Sequence, residues 1–176
     1  IVVPNENFTA AQFKSEAEKT IKEITSIGKL PVIVGGTGLY IDGLLYDFGF
    51  GSSHTKNSLR PNSLIVGLKV EREELKRRIH DRVEMMINQG LEEEVRKLAS
   101  GYGWHAKALT GIGYREFQPY FAGLQSLDET VKQIERNTNL YAKRQRTWFK
   151  RNESIHWFDD PSKAVELVTT FLNKKR

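Results

Sequence analysis

The chain is short of the residue types that build covalent or metal-based sites. It has no cysteine among its 176 residues, which excludes disulfide bonds and thiolate metal ligands. Its four histidines are scattered, and none has a second ligand at metal-binding spacing. No apolar run approaches the roughly 20 residues that a membrane span needs, and the first residues lack the basic start and apolar core of a secretion signal. We therefore expect a cytoplasmic protein that does not enter a membrane.

Common nucleotide and nucleophile motifs are also missing. The sequence contains no GxxxxGK[ST], no GxGxxG and no GxSxG element. With 39% hydrophobic and 28% charged residues, it has the composition of a globular protein with one core, with or without a small appendage.

A glycine-rich corner stands out between residues 31 and 45, in the stretch PVIVGGTGLYIDGLL. The apolar run Pro31 to Val34 predicts a strand buried on both faces, followed by a tight turn and a helix. Thr37 offers a hydroxyl where free N–H groups at a helix start favour anions. The pattern is equally typical of a purely structural strand-to-helix turn, so both interpretations stay open.

Periodicity along the rest of the chain predicts an α/β fold with a helix-rich C-terminal half. Residues 46–63 have no sustained period and read as a loop or linker. Capping boxes at Thr9 and Ser126 mark the starts of two helices. The other predicted elements are strands at 63–70 and 154–158 and helices at 72–89, 91–100, 114–122 and 163–173, with a polar loop at 105–113. The helix at 72–89 is predicted to turn Ile79 and Val83 toward the core, and the helix at 91–100 to turn Leu91 and Val95 inward.

Positive charge is concentrated near the end of the chain. The segment Lys132 to Arg151, called the basic segment below, holds seven basic residues and one acid, although the net charge of the whole chain is only +5. Its cations alternate with Trp148 and Phe149, a combination that suits phosphate contact and base stacking in RNA recognition. An amphipathic helix with both aromatic residues in the core would give the same pattern.

Two arginines, Arg78 and Arg82, lie four residues apart and therefore on one face of a predicted helix. Such arginines are usually solvated or paired with a nearby glutamate, and spacing alone gives them no further role.

Several stretches, taken together and in this order, closely resemble the bacterial tRNA dimethylallyltransferases, also called isopentenyl pyrophosphate tRNA transferases. They are VGGTGLY from Val34, RRIHDRVEMM from Arg77, GLEEEV from Gly90, GIGYREF from Gly111 and NLYAKRQRTWFKR from Asn139. The resemblance runs from about Asn5 to the C-terminus, except for the loop region.

The resemblance implies a P-loop NTPase-like parallel sheet core flanked by helices. It implies transfer of a dimethylallyl group from dimethylallyl diphosphate to N6 of adenosine 37, in the anticodon stem-loop of tRNA, with Mg²⁺ as cofactor and with a monomeric enzyme. Thr37 would lie at the tRNA contact near the target base, and Arg82 would help catalysis at the diphosphate. Further tRNA contacts are implied for Gly103, Trp104, His105, Ala106, Lys107 and Ala108, and for Arg136, Asn137, Thr138, Asn139, Leu140, Tyr141, Ala142 and Lys143.

The sequence also departs from the pattern of that family. The phosphate-binding loop and the general-base aspartate would both precede Asn5, and a helical insertion domain would replace residues 46–63. We expect residues 1–50 to be part of the catalytic core, 51–63 to be a linker or gap, and 64–176 to hold the rest of the core and the tRNA-binding helices. We accordingly expect the sequence to be part of a longer protein and the printed chain alone to be inactive.

Two other classes of protein remain as alternatives at this stage. A small-molecule kinase of the P-loop superfamily would need the missing lysine loop but not the basic segment. A non-catalytic RNA-binding module would use the basic segment and leave the glycine corner structural.

Overall fold

A computed structural model describes residues 1–46 and 58–174 of the chain. Within these residues the predicted helices and the predicted strands after residue 60 form close to their expected positions. In chain order the elements are α1 (Ala10–Ser26), α2 (Gly38–Leu45), β1 (Ile65–Leu68), α3 (Arg72–Asn88), α4 (Leu91–Tyr102), a 3₁₀ turn (Lys107–Thr110), α5 (Phe117–Phe121), α6 (Leu127–Phe149), β2 (Ile155–Phe158) and α7 (Ser162–Asn173). In the described part of the chain, no helix is both long enough and apolar enough to cross a bilayer.

Both predicted capping boxes are confirmed. At the start of α1 the Thr9 hydroxyl accepts from Gln12 N–H, and the Gln12 side chain accepts in return from Thr9 N–H. At the start of α6, Ser126 N–H donates to Glu129 Oε2 at 2.7 Å and Glu129 N–H donates to the Ser126 hydroxyl. Each box satisfies N–H groups that a helix start otherwise leaves unpaired.

One compact unit comprises Ile1–Asn7 and Val70–Arg144. The apolar faces predicted for α3 and α4 meet here, because Ile79 and Val83 pack with Leu91 and Val95. Phe117 is fully buried in the same cluster. The cluster is completed by Ala106, Leu109 and Ile134.

A second compact unit comprises the described residues of Phe8–Lys69 and Gln145–Arg176. It contains β1 and β2, which pair in parallel from Ile65 opposite Ile155 to Leu68 opposite Phe158. The two strands confirm a mixed α/β fold with a small parallel sheet in a helix-rich chain.

The strand predicted at Pro31 to Val34 is wrong. These residues have no regular secondary structure, and the side chains of Val32 and Val34 are 74% and 92% exposed. In the described part of the chain β1 pairs only with β2, so residues 31–34 pair with neither strand. An apolar run shows that a segment could be buried, but it does not supply the neighbouring strand that buries it.

Smaller differences fall on the polar segments. The loop predicted at 105–113 contains the 3₁₀ turn Lys107–Thr110, and the helix predicted at 114–122 shortens to α5. Pro119 is tolerated in α5 because it lies in the first turn, where no intrahelical N–H bond is lost. The predicted linker at 51–63 lies outside the described residues as far as residue 57. Beyond that point Arg60 donates to Glu18 Oε1 at 2.7 Å and to the Leu44 carbonyl.

Candidate functional site

Thr37 occupies the N-cap position of α2, in the second unit. Its carbonyl accepts from the N–H groups of Tyr40 and Ile41, each at 3.0 Å, so the first turn of the helix holds its backbone. The Thr37 side chain is exposed, and its hydroxyl has no hydrogen-bond partner among residues 1–46 and 58–174. The hydroxyl is therefore available to a ligand.

The glycines on either side of Thr37 lie against side chains from the end of α6. A Cβ added to Gly36 would be 2.2 Å from Gln145 Nε2, and one added to Gly38 would be 2.4 Å from Trp148 Cδ1. Real Cβ atoms do not approach other atoms so closely. The Gln145 amide is the flexible end of its side chain and can move away from Gly36, but the Trp148 indole is rigid, so packing against α6 requires glycine at position 38. This requirement gives the GGTG pattern a structural cause.

Trp148 is also tied to α2 by a hydrogen bond. Its indole Nε1–H donates to Asp42 Oδ2 at 3.0 Å. Asp42 is only 8% exposed, and its Oδ1 is buried with no hydrogen-bond partner in the described structure. A cavity of about 280 Å³ is lined by Asp42, Trp148, Arg151 and Asn152. These contacts support the packing interpretation of Trp148 over the base-stacking one.

Arg82 lies on α3, in the first unit, and has no such ties. Its guanidinium is exposed and makes no ion pair or hydrogen bond with any residue of the described part. Arg78, one turn earlier, donates from Nε to Glu74 Oε1 at 2.6 Å. Arg78 is thus paired with a nearby glutamate, as surface arginines usually are, whereas Arg82 has no such partner among the described residues and is free to bind an anion.

His80 connects α3 to α6 close to Arg82. Its Nδ1–H donates to Glu135 Oε1 at 2.7 Å. This hydrogen bond and the charge of Glu135 raise the pKa of the His80 imidazole above its ordinary value.

The predicted RNA-contacting segment 103–108 follows the end of α4. Gly103 ends the helix with a φ of 75°, and the half-buried Trp104 ring lies 6.0 Å from the ring of Phe121. Ala106 is buried in the core of the first unit, so its side chain does not offer a contact surface. The exposed side chains of the segment belong to His105, Lys107 and Ala108.

The second predicted segment, 136–143, lies on α6. Its exposed residues are Arg136, Leu140 and Lys143. They follow each other at i, i+4 and i+7, so they share one face of the helix. The half-buried residues of the segment are Asn137, Thr138, Asn139, Tyr141 and Ala142.

Glu116 is a buried carboxylate that the sequence reasoning missed. It accepts from Gly113 N–H at 2.8 Å, from Arg115 Nε–H at 3.0 Å and from the Asn137 side-chain amide at 2.7 Å. The side-chain amide of Asn137 is thereby engaged inside the protein. The GIGYREF loop and the middle of α6 are held in register by this one carboxylate.

Six of the seven cations of the basic segment fall into two groups. Lys132 is ion-paired with Asp128 at 2.6 Å, and the guanidinium groups of Arg144 and Arg151 stack over the rings of Tyr141 and Trp148. In the described part of the chain no ion pair or hydrogen bond engages the side chains of Arg136, Arg146 and Lys150. Unpaired exposed cations are the ones that can meet phosphate without first breaking an internal contact.

The described residues do not form a metal centre. Among them, no group of three or more His, Asp or Glu side chains converges as possible ligands.

The predicted site residues divide between the two units. Thr37 belongs to the second unit, where Gln145 and Trp148 contact the glycines beside it, whereas Arg82 and the segments 103–108 and 136–143 belong to the first. Gln145, Trp148 and Asp42 were not predicted as site residues. The paired glycines around Thr37 were the one available signal, because glycine on both sides of a residue indicates that something approaches closely.

Comparisons with known proteins agree on one family. Residues 1–63 and 49–152 match the family model described as IPP transferase. The chain is 36% identical over 229 residues to tRNA dimethylallyltransferase 1 of Citrifermentans bemidjiense, covering 96% of this chain and 75% of that protein. It is 33% identical to the tRNA dimethylallyltransferase of Anoxybacillus flavithermus, covering 89% and 70% of the two chains.

Solved structures give the same result. A tRNA delta(2)-isopentenylpyrophosphate transferase from Staphylococcus epidermidis superposes with a TM-score of 0.87 and 28% identity, covering 100% of this chain and 80% of the other. A tRNA isopentenylpyrophosphate transferase from Bacillus halodurans superposes with a TM-score of 0.87 and 27% identity, covering 99% and 76%.

Proposed function

This chain belongs to the IPP transferase family, and we propose that it transfers a dimethylallyl group from dimethylallyl diphosphate to N6 of adenosine 37, beside the tRNA anticodon. It is a tRNA prenyltransferase by its relationship to the curated tRNA dimethylallyltransferases. That relationship favours an enzyme over the RNA-binding module and the small-molecule kinase.

The proposed reaction forms one C–N bond and breaks one C–O bond. N6 of adenosine attacks the first carbon of the dimethylallyl group, the diphosphate leaves with the electron pair, and one proton leaves N6. Negative charge therefore grows on the departing oxygen. A guanidinium fork placed there stabilises that charge through two parallel hydrogen bonds.

The free guanidinium of Arg82 is the observation that supports this proposal. It is exposed and without an ion pair in the described structure, whereas Arg78 on the same helix is already paired with Glu74. An arginine with no internal partner can bind the diphosphate without losing a contact. We therefore assign Arg82 to the leaving diphosphate.

Thr37 is proposed to meet the target base. Its hydroxyl is exposed and unpaired among the described residues, at the start of α2. The target adenine must leave its stack for N6 to react, which costs a few kcal/mol. A hydroxyl can both donate to and accept from the edge of a base turned out in this way.

The RNA itself is proposed to lie on exposed residues of segments 103–108 and 136–143 and on the part of the basic segment from Lys143 onward. Arg136 and Lys143 are exposed on one face of α6. Cations spaced along a helix neutralise successive phosphates and supply much of the affinity for RNA. These phosphate contacts hold the RNA in place while the target base is unstacked.

The remaining expectations also stay proposals. These are a monomeric enzyme, a cytoplasmic location and the use of Mg²⁺. Among the described residues no three His, Asp or Glu side chains converge, and Mg²⁺ at a diphosphate commonly needs only one or two protein carboxylates besides the phosphate oxygens.

The direct test is product formation by the full-length protein. We expect incubation with dimethylallyl diphosphate and an anticodon stem-loop RNA to add one dimethylallyl group to adenosine 37, detected by mass spectrometry of the digested nucleosides. A matched RNA with guanosine at that position is the control and should remain unmodified. An RNA that binds the protein but never gains mass would overturn the proposal.

A further inference from the structure

The backbone around Thr37 packs against side chains from a distant part of the chain. Thr37 lies between Gly36 and Gly38, and the space that side chains would take at these glycines is filled by Gln145 and Trp148. Both contacts occur within the second unit. The position of the Thr37 backbone therefore depends on the last residues of α6.

Two hydrogen bonds add to these packing contacts, one on each side of Thr37 along the chain. Gln145 Nε2–H donates to the Gly36 carbonyl at 2.9 Å, which holds the peptide group just before Thr37. Trp148 Nε1–H donates to Asp42 Oδ2 at 3.0 Å, which holds the helix just after it. Asp42 is 8% exposed, so this second bond is shielded from competing water.

The Thr37 hydroxyl has no other means of being positioned in the described structure. It makes no hydrogen bond of its own there, and a single side-chain torsion separates it from the backbone. Any shift of the corner therefore moves the hydroxyl by a similar distance. A misplacement of about 1 Å at a reacting group can cost about 10²-fold in rate.

We propose that Gln145 and Trp148 are positioning residues that act on the transfer reaction through Thr37, with Asp42 as the acceptor that anchors Trp148. The inference rests on the proposed function. A positioning role differs from a purely structural role in two ways. Loss of Gln145 or Trp148 should lower the rate of transfer to bound RNA, and this loss should occur only when the Thr37 hydroxyl is present.

The experiment measures single-turnover transfer by the full-length protein at saturating anticodon stem-loop RNA. We expect Gln145→Ala to slow transfer 10- to 100-fold while the Kd for RNA and the Tm stay near the wild-type values. Gln133→Ala removes an exposed glutamine from the same helix and is the matched control. Wild-type protein that shows no transfer at all would refute the proposed function itself.

A second pair of variants keeps the test sound if Gln145→Ala folds poorly. Trp148→Phe retains one aromatic ring near Gly38 and loses the indole N–H donor together with part of the ring area, so we expect a similar loss of rate. Trp157→Phe is the same change on β2 and should have no such effect. Asp42→Asn keeps an acceptor for Trp148 and should restore most of the activity that Asp42→Ala loses.

The decisive readout is the dependence on Thr37. We expect Gln145→Ala to slow transfer less than threefold when Thr37 is already alanine, because its effect passes through the missing hydroxyl. Equal losses in the wild-type and Thr37→Ala backgrounds would overturn the inference. So would an active wild-type protein whose Gln145→Ala and Trp148→Phe variants match their controls, or a loss explained by weaker RNA binding or a lower Tm.

Discussion

The two residues assigned to the reaction have opposite surroundings. The side chain of Thr37 is exposed, but its backbone lies between two glycines that pack against Gln145 and Trp148. Arg82 is exposed on α3 and has no partner among the described residues. Replacing Gly38 beside Thr37 therefore disturbs packing as well as chemistry, whereas a substitution of Arg82 disturbs chemistry alone. The predictions below test this difference, beginning with the largest effect.

Arg82→Ala should slow transfer by about 10² to 10³-fold, the usual loss when one stabilising donor is removed from a developing negative charge. Its thermal stability should match the wild type, because no described contact is lost. Single-turnover transfer by the full-length protein and a thermal melt check both points. Arg78→Ala is the matched control on the same helix, and a similar loss of activity in that variant would remove the special role of Arg82.

Gly38→Ala should destabilise the protein by about 1–3 kcal/mol, the typical cost of forcing an extra methyl group into a packed site. The new Cβ would lie 2.4 Å from Trp148 Cδ1 and 2.5 Å from Nε1. Urea denaturation measures the free energy of unfolding. Gly35→Ala is the control, because its Cβ would meet Ile41 Cδ1 at an ordinary 3.5 Å, and equal stabilities of the two variants would contradict the packing account.

Replacing Lys143, Arg144 and Arg146 by glutamine should weaken RNA binding about tenfold at moderate salt. The slope of log affinity against log salt should become shallower by about 2, since roughly 0.7 counterions are released per contact with single-stranded RNA. Filter binding across a salt series measures both quantities. Lys132→Gln, which removes a cation already paired with Asp128, should change neither, and an unchanged slope in the triple variant would exclude these cations from the RNA surface.

The smallest effect concerns the His80–Glu135 pair. Because the folded protein raises the pKa of His80, its stabilising contribution is complete below the unfolded pKa of about 6.5 and is lost as the pH rises through the higher folded value. We therefore expect the Tm difference between wild type and His80→Gln to be largest near pH 6 and to shrink toward alkaline pH. A difference that grows with pH would contradict this sign.

The local features of the fold were predictable from the sequence. The boxes at Thr9 and Ser126 identified the starts of α1 and α6, because a capping box is formed by residues three apart. The apolar spacing that predicted α3 also identified Ile79 and Val83 as core residues. The same reasoning gave the wrong result for Val32 and Val34, because burial of a strand depends on neighbours that a local pattern does not contain.

The contacts that define the site were not predictable in the same way. Gln145 is separated from Gly36, and Trp148 from Asp42, by more than 100 residues, and no periodicity reports such pairs. The buried Glu116 was hidden for a similar reason, because two of its partners are local and the third is Asn137 on α6. The roles of Thr37 and Arg82 came from the family resemblance, and they stay predictions.

The central claim is that the rate of transfer depends on Arg82, whereas the affinity for RNA depends on the cations of α6. One measurement tests this claim most directly. Single-turnover transfer is followed as a function of RNA concentration for the full-length Arg82→Ala protein and for the Lys143, Arg144 and Arg146 triple variant. The account predicts that the triple variant reaches the wild-type rate once RNA is saturating, whereas Arg82→Ala stays slow at every concentration. A rate in Arg82→Ala that recovers with added RNA would contradict it.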